Sequence, residues 1–507
     1  MNQRQKPLSI LLSACLLAGM MVNVASAETV TSELIVSGGM ETESVISEEV
    51  ASKSMTGSLT TGAGTTGSVT VGSTVTGSIG VESTIKASDQ AEKNFNERAL
   101  MLADSMESQV IEWRRHLHEH PELPYQEYET AKYIVDALEK MGGYEIEAGI
   151  AKTGVKAVLV GGKPGPVVAL RADMDGLPVK EQNTLPFKSL ATGIWDGKET
   201  PIMHACGHDT HVAMLLGAAK VFSQMKDELK GTIVLIFQPA EEQGPGTPLS
   251  GANQMMAENV LENPKVDVVM GQHIGGSYPS GSISYRPGSF MASGDGFKIE
   301  FEGKGGHGSS PWSANSPLLA AAETTIALNN IVSQRTDPQD GTIVVTVGLL
   351  SSGSKMNILP DSAVIEGTVR SLSKKNQAIA HQKIQRYSEN IADNHGVKVN
   401  VTLSTGYEVL VNDADVVQTI APALDVATKG VGAIESLPLM GSEDFGAYAN
   451  NGTPIVYWWL NASPFEDRAG AANHSPEFMI DEDALIVGVR ALVGSALSYM
   501  EQNATKE

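Results

Sequence analysis

The chain has 507 residues, 41% of them apolar and 5% aromatic, with a formal net charge of −23. That length can bury more than one domain core. A surface this acidic repels nucleic acid and anionic membranes, which excludes both as partners. Residues 28–90 hold eight acids and two bases, so most of the deficit lies on the rest of the chain.

The first 27 residues read as a secretory signal peptide. Arg4 and Lys6 form a basic start, Leu8 to Val24 is mostly apolar, and Ala25-Ser26-Ala27 offers small residues for cleavage before Glu28. An exported protein, periplasmic or extracellular, is expected. Leu12-Ser13-Ala14-Cys15 resembles a lipoprotein processing box, a minor alternative because the apolar run continues well past Cys15. Cleavage after Ala27 leaves Cys206 as the sole cysteine, so no intrachain disulfide is expected. A lone thiol inside a histidine cluster fits a metal thiolate better than a structural bridge. Residues 28–90 are rich in Thr, Ser, Gly and Val, contain no aromatic residue, and repeat Thr-Gly-Ser at Thr56, Thr66 and Thr76. Nothing there packs a core, which favours a low-complexity linker over small stacked strands.

The globular part begins near Ala91. Helical periodicity runs over Ala99–Leu117 and again over Glu127–Lys140. His116, His118 and His120 alternate near the end of the first helix, but Pro121 breaks it and no cysteine or carboxylate pair is in register with them. They read as structural or rim residues. Short apolar strands are expected at Val155–Val160, Val167–Arg171, Thr232–Phe237 and Val266–Met270, with a helix after His211. Each of the last three strands empties into polar residues: Asp173 and Asp175, then Gln238 to Glu242, then Gln272 and His273. Ligands at the C-terminal ends of successive strands mark the active-site edge of an open α/β sheet. From Gly288 to about Thr405 the pattern changes to β-α-β-β-α-β, an inserted ferredoxin-like α+β domain. A helix at 413–428, a strand at Pro454–Trp459 and a last helix over 483–500 return to the first domain. The expected fold class is thus α/β: a doubly wound catalytic domain in two parts, 91–287 and 406–507, interrupted by residues 288–405.

Within this frame one stretch concentrates ligands. In Met203-His204-Ala205-Cys206-Gly207-His208-Asp209-Thr210-His211, Cys206 and His208 stand two apart before a helix, a geometry suited to a divalent ion. Glu241 and Glu242 are adjacent in a turn, so one carboxylate can bind metal while the other takes a proton from an activated water. His474 is notable because such a cluster needs a closing ligand. His307 lies among glycines in Gly305-Gly306-His307-Gly308-Ser309, a setting suited to a group that swings onto a substrate carbonyl oxygen.

Eight motifs occur in order: Arg114 to Glu122, Arg171 to Pro178, His204 to His211, Gln238 to Glu242, Gly305 to Ser309, Asn357 to Pro360, Gly441 to Phe445 and His474-Ser475-Pro476. Together they resemble the amidohydrolase branch of metallopeptidase family M20. That branch contains hippurate hydrolases, auxin-conjugate amidohydrolases and thermostable carboxypeptidases. The resemblance covers residues 105–495 and omits 28–90.

It implies a dimetal amidohydrolase or carboxypeptidase acting on N-acyl or N-aroyl amino acids or small peptides. The inserted domain would serve as lid and dimerisation domain of a homodimer. Cys206, His208, Glu242, His273 and His474 would hold two divalent ions. Zinc is favoured by the thiolate, manganese is the main alternative, and cobalt or nickel would also suit. Glu241 would be the general base, Asp175 would support the metal site, and His307 would polarise the carbonyl. Asn357 and Arg370 would hold the substrate carboxylate. Gln272, Pro124 and Ile358-Leu359 depart from the family pattern without removing a ligand. Rival readings are another acyl conjugate or ester on the same machinery, and a silent exported binding protein, which would not need to keep Glu241.

Overall fold

The computed structural model describes residues 58–60, 66–68, 94–247, 249–277, 279–466 and 472–504. The signal peptide, Cys15 and most of the linker lie outside them. Within 28–90 the described residues are two three-residue strands, Ser58–Thr60 and Thr66–Ser68, paired antiparallel. They belong to a separate unit, Met1–Ile79, distinct from Gly80–Glu507, which carries everything below.

The larger sheet of the second unit has eight strands. In chain order they are β1 (Glu145–Ile150), β2 (Gly154–Val160), β3 (Lys163–Asp173), β4 (Lys230–Gln238), β5 (Val268–Gly275), β6 (Ile283–Tyr285), and two later strands, Ala433–Glu435 and Ile455–Asn461. Their order across the sheet is Ala433–Glu435, β6, Ile455–Asn461, β5, β3, β4, β2, β1. The central ladders pairing β3 with β4, β3 with β5, and β5 with Ile455–Asn461 are parallel. β1 and β2 run antiparallel at one edge, and β6 is antiparallel to Ile455–Asn461 near the other. The sheet is therefore mixed.

Side-chain alternation on the central strands builds a core on each face. Val168, Leu170, Ile233, Leu235 and Phe237 point into one core, under helices α1 (Glu107–Glu119), α2 (Tyr128–Met141) and α3 (His208–Met225) and the C-terminal helix Leu485–Asn503. Ala169, Val234 and Ile236 point into the other, with Met255, Phe290, Phe445 and Tyr448. Most of α3 is buried, as expected of a helix apolar all round. The C-terminal helix, extended to Glu482, is the one described helix long and apolar enough to cross a membrane. Its apolar window is 78% buried inside the protein, which is the signature of a core helix.

Residues 294–407 form a second sheet with its own core. Strands Gly294–Glu302, Ile343–Ser352, Ser362–Ser371 and Lys398–Tyr407 pair antiparallel, in the order Ile343–Ser352, Ser362–Ser371, Gly294–Glu302, Lys398–Tyr407. Helices Pro317–Gln334 and Lys374–His395 pack on one face over Phe297, Ile299, Phe301 and Ile365.

Candidate active site

The site forms where the parallel strands end. β3 finishes in Asp173, and Asp175 follows two residues later. β4 ends at Gln238, and the chain then turns through Ala240 at φ 50°, a strained conformation for alanine. Three contacts hold that turn. The amide of Ala240 donates to Glu127 Oε1 at 2.9 Å, and the amides of Glu241 and Glu242 donate to the two oxygens of Asp175 at 3.1 and 3.0 Å. Asp175 is thus the clamp that presents both glutamates. β5 runs longer than its apolar stretch suggests, so His273 sits on the strand rather than beyond it.

Between Cys206 and His208 the chain passes through Gly207 at φ 92°. There a Cβ would stand 2.5 Å from Ile274 Cγ2. Only glycine fits, and the turn swings Cys206 and His208 to the same side at the start of α3. His474 also adopts a positive φ, 69°, and its amide donates to Ala205 O at 2.7 Å, pinning a distant loop against the Cys206 strand.

The ligand-type side chains converge. Cys206 Sγ lies 3.4 Å from His273 Nε2 and 3.2 Å from His474 Nε2, and His474 Nε2 is 2.8 Å from Glu242 Oε1. Among the described residues, five trios bring their donor atoms within 4.8 Å of one another: Cys206, His208 and His273; Cys206, Glu242 and His474; His208, Glu241 and Glu242; Asp173, His208 and His211; and Glu241, Glu443 and Asp444. His208 Nδ1 is engaged by Asp175, at 3.1 Å from Oδ1 and 3.0 Å from the carbonyl. Its Nε2 is buried with no hydrogen-bond partner among the described residues. An orphaned imidazole nitrogen beside a thiol and two carboxylates is a donor set that fits a divalent cation. His211 has no such freedom. Its Nε2 accepts from the Ile274 amide at 2.8 Å and its Nδ1 meets Asp173, so it supports the site without ligating.

The electrostatics of the cluster are dominated by buried carboxylates. Burial opposes charge on His208, but Asp173 and Asp175 outweigh it and push the imidazole up to about 10. Burial and then Glu443, Glu242, Asp444 and Asp175 push the Glu241 carboxyl well above the usual range, so it holds a proton readily. Burial also raises the Cys206 thiol, with Glu242 and Glu241 adding to it. Burial and His211 hold His273 well below its ordinary value, leaving it neutral. Many buried carboxylates share this space, and a bound cation is what would offset them.

Beneath them lies a network that the motif reading did not single out. Arg171, fully buried, donates to Gln238 Oε1 at 2.8 Å, to Asp173 Oδ2 at 2.7 Å, and to Glu443 Oε1 and Asp444 Oδ1 at 2.9 Å. Asp444 also accepts from Gln238 Nε2 and from the Ala252 amide. Tyr407 donates to the Glu241 carbonyl at 2.6 Å. The available signal was an arginine closing an apolar strand, a placement that requires buried partners.

Three predicted residues stand apart from this cluster. His307 is exposed, on a two-residue strand paired with Ile358–Leu359, and its Nδ1 accepts from the Ser309 amide. Asn357 is exposed beside it, its carbonyl accepting from the Gly308 amide. Arg370 meets the Ser442 hydroxyl and lines a cavity of about 770 Å³ with Tyr407, Lys374 and Gln243. No contact joins His307 or Asn357 to the metal-type ligands among the described residues. His116 and His120 are exposed and stack with each other, whereas His118 is buried between Asp209 and Glu181.

Comparison with known proteins agrees with this geometry. The model of peptidase family M20/M25/M40 matches residues 169–498. Thermostable carboxypeptidase 2 of Saccharolobus solfataricus is 39% identical over 396 residues, covering 78% of this chain and 96% of that protein. The N-acetyl-L-cysteine deacetylase of Bacillus subtilis is 37% identical over 399 residues, covering 79% and 90%. Among solved structures, the YXEP protein of Bacillus subtilis, described as a dinuclear metal-binding peptidase, is 33% identical with a TM-score of 0.65, covering 78% of this chain and 99% of that one. A proposed aminohydrolase from methicillin-resistant Staphylococcus aureus is 36% identical with a TM-score of 0.72, covering 80% and 100%. With the match spanning the strand ends, the ligand cluster and the Arg171 network alike, the chain belongs to peptidase family M20/M25/M40.

Proposed function

We propose that the chain hydrolyses the amide bond between an acyl group and an amino acid, or the C-terminal bond of a small peptide, with two divalent ions. One observation carries this reading: five ligand-type side chains from four separate segments converge, with a sixth group, Glu241, beside them and buried among carboxylates. Cys206, His208, Glu242, His273 and His474 would hold the ions, zinc by thiolate softness. When bound, the ions supply Lewis-acid polarisation of the carbonyl and acidify water in the site.

Glu241 is the proton carrier. With bound cations offsetting the neighbouring carboxylates, its ionised form would take a proton from the attacking water and return it to the leaving amine nitrogen. Asp175 keeps Glu241 and Glu242 in place through their amides. Beside Ile358–Leu359, the Ser309 amide donates to His307 Nδ1, which leaves Nε2 to carry a proton and donate to a substrate oxygen. His307 would come into use when the inserted domain closes as a lid or when a second copy pairs through it. We assign Arg370, with Asn357, to the substrate carboxylate. Export of the enzyme rests on residues 1–27 alone.

The test is release of free amine from a panel of N-acetyl and N-benzoyl amino acids and dipeptides by the purified, zinc-loaded protein. Turnover that disappears on chelation and returns with metal is expected. Metal uptake with no turnover on any member would overturn the reading in favour of a binding protein.

A further inference from the structure

Two tandem tryptophans face two tandem polar residues across the parallel ladder between β5 and Ile455–Asn461. Trp458 is opposite Gln272 and Trp459 is opposite His273. Because side chains alternate along a strand, the two pairs lie on opposite sides of the sheet. On the buried side, Trp458 Nε1 donates to Gln272 Oε1 at 3.0 Å, which accounts for a glutamine inside an apolar strand. On the site side, the Trp459 indole lies flat on the His273 imidazole, with ring centroids 4.3 Å apart and planes 3° from parallel.

We infer that Trp459 is a positioning residue for His273, setting the plane of that ring for a metal ion. The neighbouring contacts leave this task to it. A carbonyl only accepts, so His273 Nδ1 must donate to Ile274 O, at 2.6 Å, and the Nε2 lone pair is left facing Cys206. A single hydrogen bond fixes the direction of Nε2 but allows the ring to rock about it. His211 touches the imidazole only obliquely, at 4.7 Å and 74°, so the indole face is the parallel support. Room for that face is provided by sequence. At Gly275 a Cβ would meet the indole at 2.3 Å, so any other residue there would displace Trp459 from the stack.

The inference rests on the metal-site reading above and is tested on zinc affinity rather than turnover. Zinc is titrated into the wild-type protein, Trp459→Leu and Trp459→Phe in competition with a chromogenic chelator. Support groups around a metal ligand are typically worth about 10–100-fold in affinity. Trp459→Leu should weaken zinc binding at least about tenfold, and Trp459→Phe, which keeps a flat face, should stay within about threefold. Gly275→Ala should reproduce the loss with both His273 and Trp459 present. If the leucine variant does not fold, the wild-type protein with isotope-labelled histidine rings still decides: the indole ring current should shift one histidine C–H signal strongly upfield. Wild-type zinc affinity in Trp459→Leu, or the absence of that shifted signal, overturns the inference while leaving the metal site intact. Failure of the wild-type protein to take up zinc overturns both.

Discussion

His118 illustrates how one side chain divides structure from chemistry. It lies among three alternating histidines that invite a metal reading, yet it is buried between Asp209 at 2.9 Å and Glu181 at 3.1 Å, with Arg114 beside it. Burial and Arg114 push its pKa down, and Asp209 and Glu181 outweigh them, leaving it above the ordinary value. At a pH between the ordinary and the raised value, the folded chain holds a proton that the unfolded chain has released. The resulting stability is complete below about pH 6.5 and is lost as the pH rises through the folded pKa. Thermal melts of wild-type and His118→Gln protein across that range should therefore converge as the pH rises. A pH-independent gap between them would contradict this assignment. Residue chemistry of this kind was partly legible in the sequence. Cys206 and His208 stood out by spacing, and Glu241 and Glu242 only with the resemblance. Arg171, Asp173 and Asp444 did not, because their roles depend on partners up to 273 positions away.

At the scale of elements, sequence pattern located the central strands but not β1, β6 or Ala433–Glu435, and it placed strand ends less well. Apolar runs marked the middles of β3 and β4, which begin earlier, at Lys163 and Lys230, and the first part of β5. β5, however, continues through Gln272 and His273, because ladder partners on Ile455–Asn461 hold those polar residues in register. The mixed edges of the sheet were likewise illegible, since a strand's own pattern does not say which direction its neighbour runs. The turn into α3 is a tightly constrained junction. Gly207→Ala forces a left-handed backbone onto alanine and a methyl onto Ile274, a cost of about 1–3 kcal/mol for the backbone alone. Urea denaturation of the variant should show at least that loss. An unchanged midpoint would mean that the junction is looser than its contacts imply.

For the whole molecule, the balance of charge is the governing feature. Asp175, Glu241, Glu242, Glu443 and Asp444 crowd one buried region, with Arg171 as the main fixed counter-charge. Stripping divalent metal should therefore lower the melting temperature, and restoring it should raise stability by about 2.7 kcal/mol at a free concentration a hundred times the dissociation constant. Identical melts of stripped and loaded protein would remove the case for metal at this site. The resemblance of motifs, rather than composition, pointed to the side chains that cluster here. It was less informative about His307 and Asn357, because the placement of a separate sheet relative to the ligands is a property of the assembled chain.

The central claim is that Glu241 moves the proton while its neighbours hold the ions. The most direct measurement compares bound zinc and turnover of N-acyl amino acids in wild-type and Glu241→Gln protein. The account predicts unchanged zinc content with turnover reduced by roughly 10²–10⁴-fold. Loss of zinc in the variant would make Glu241 a ligand instead, and retained turnover would show that another group carries the proton.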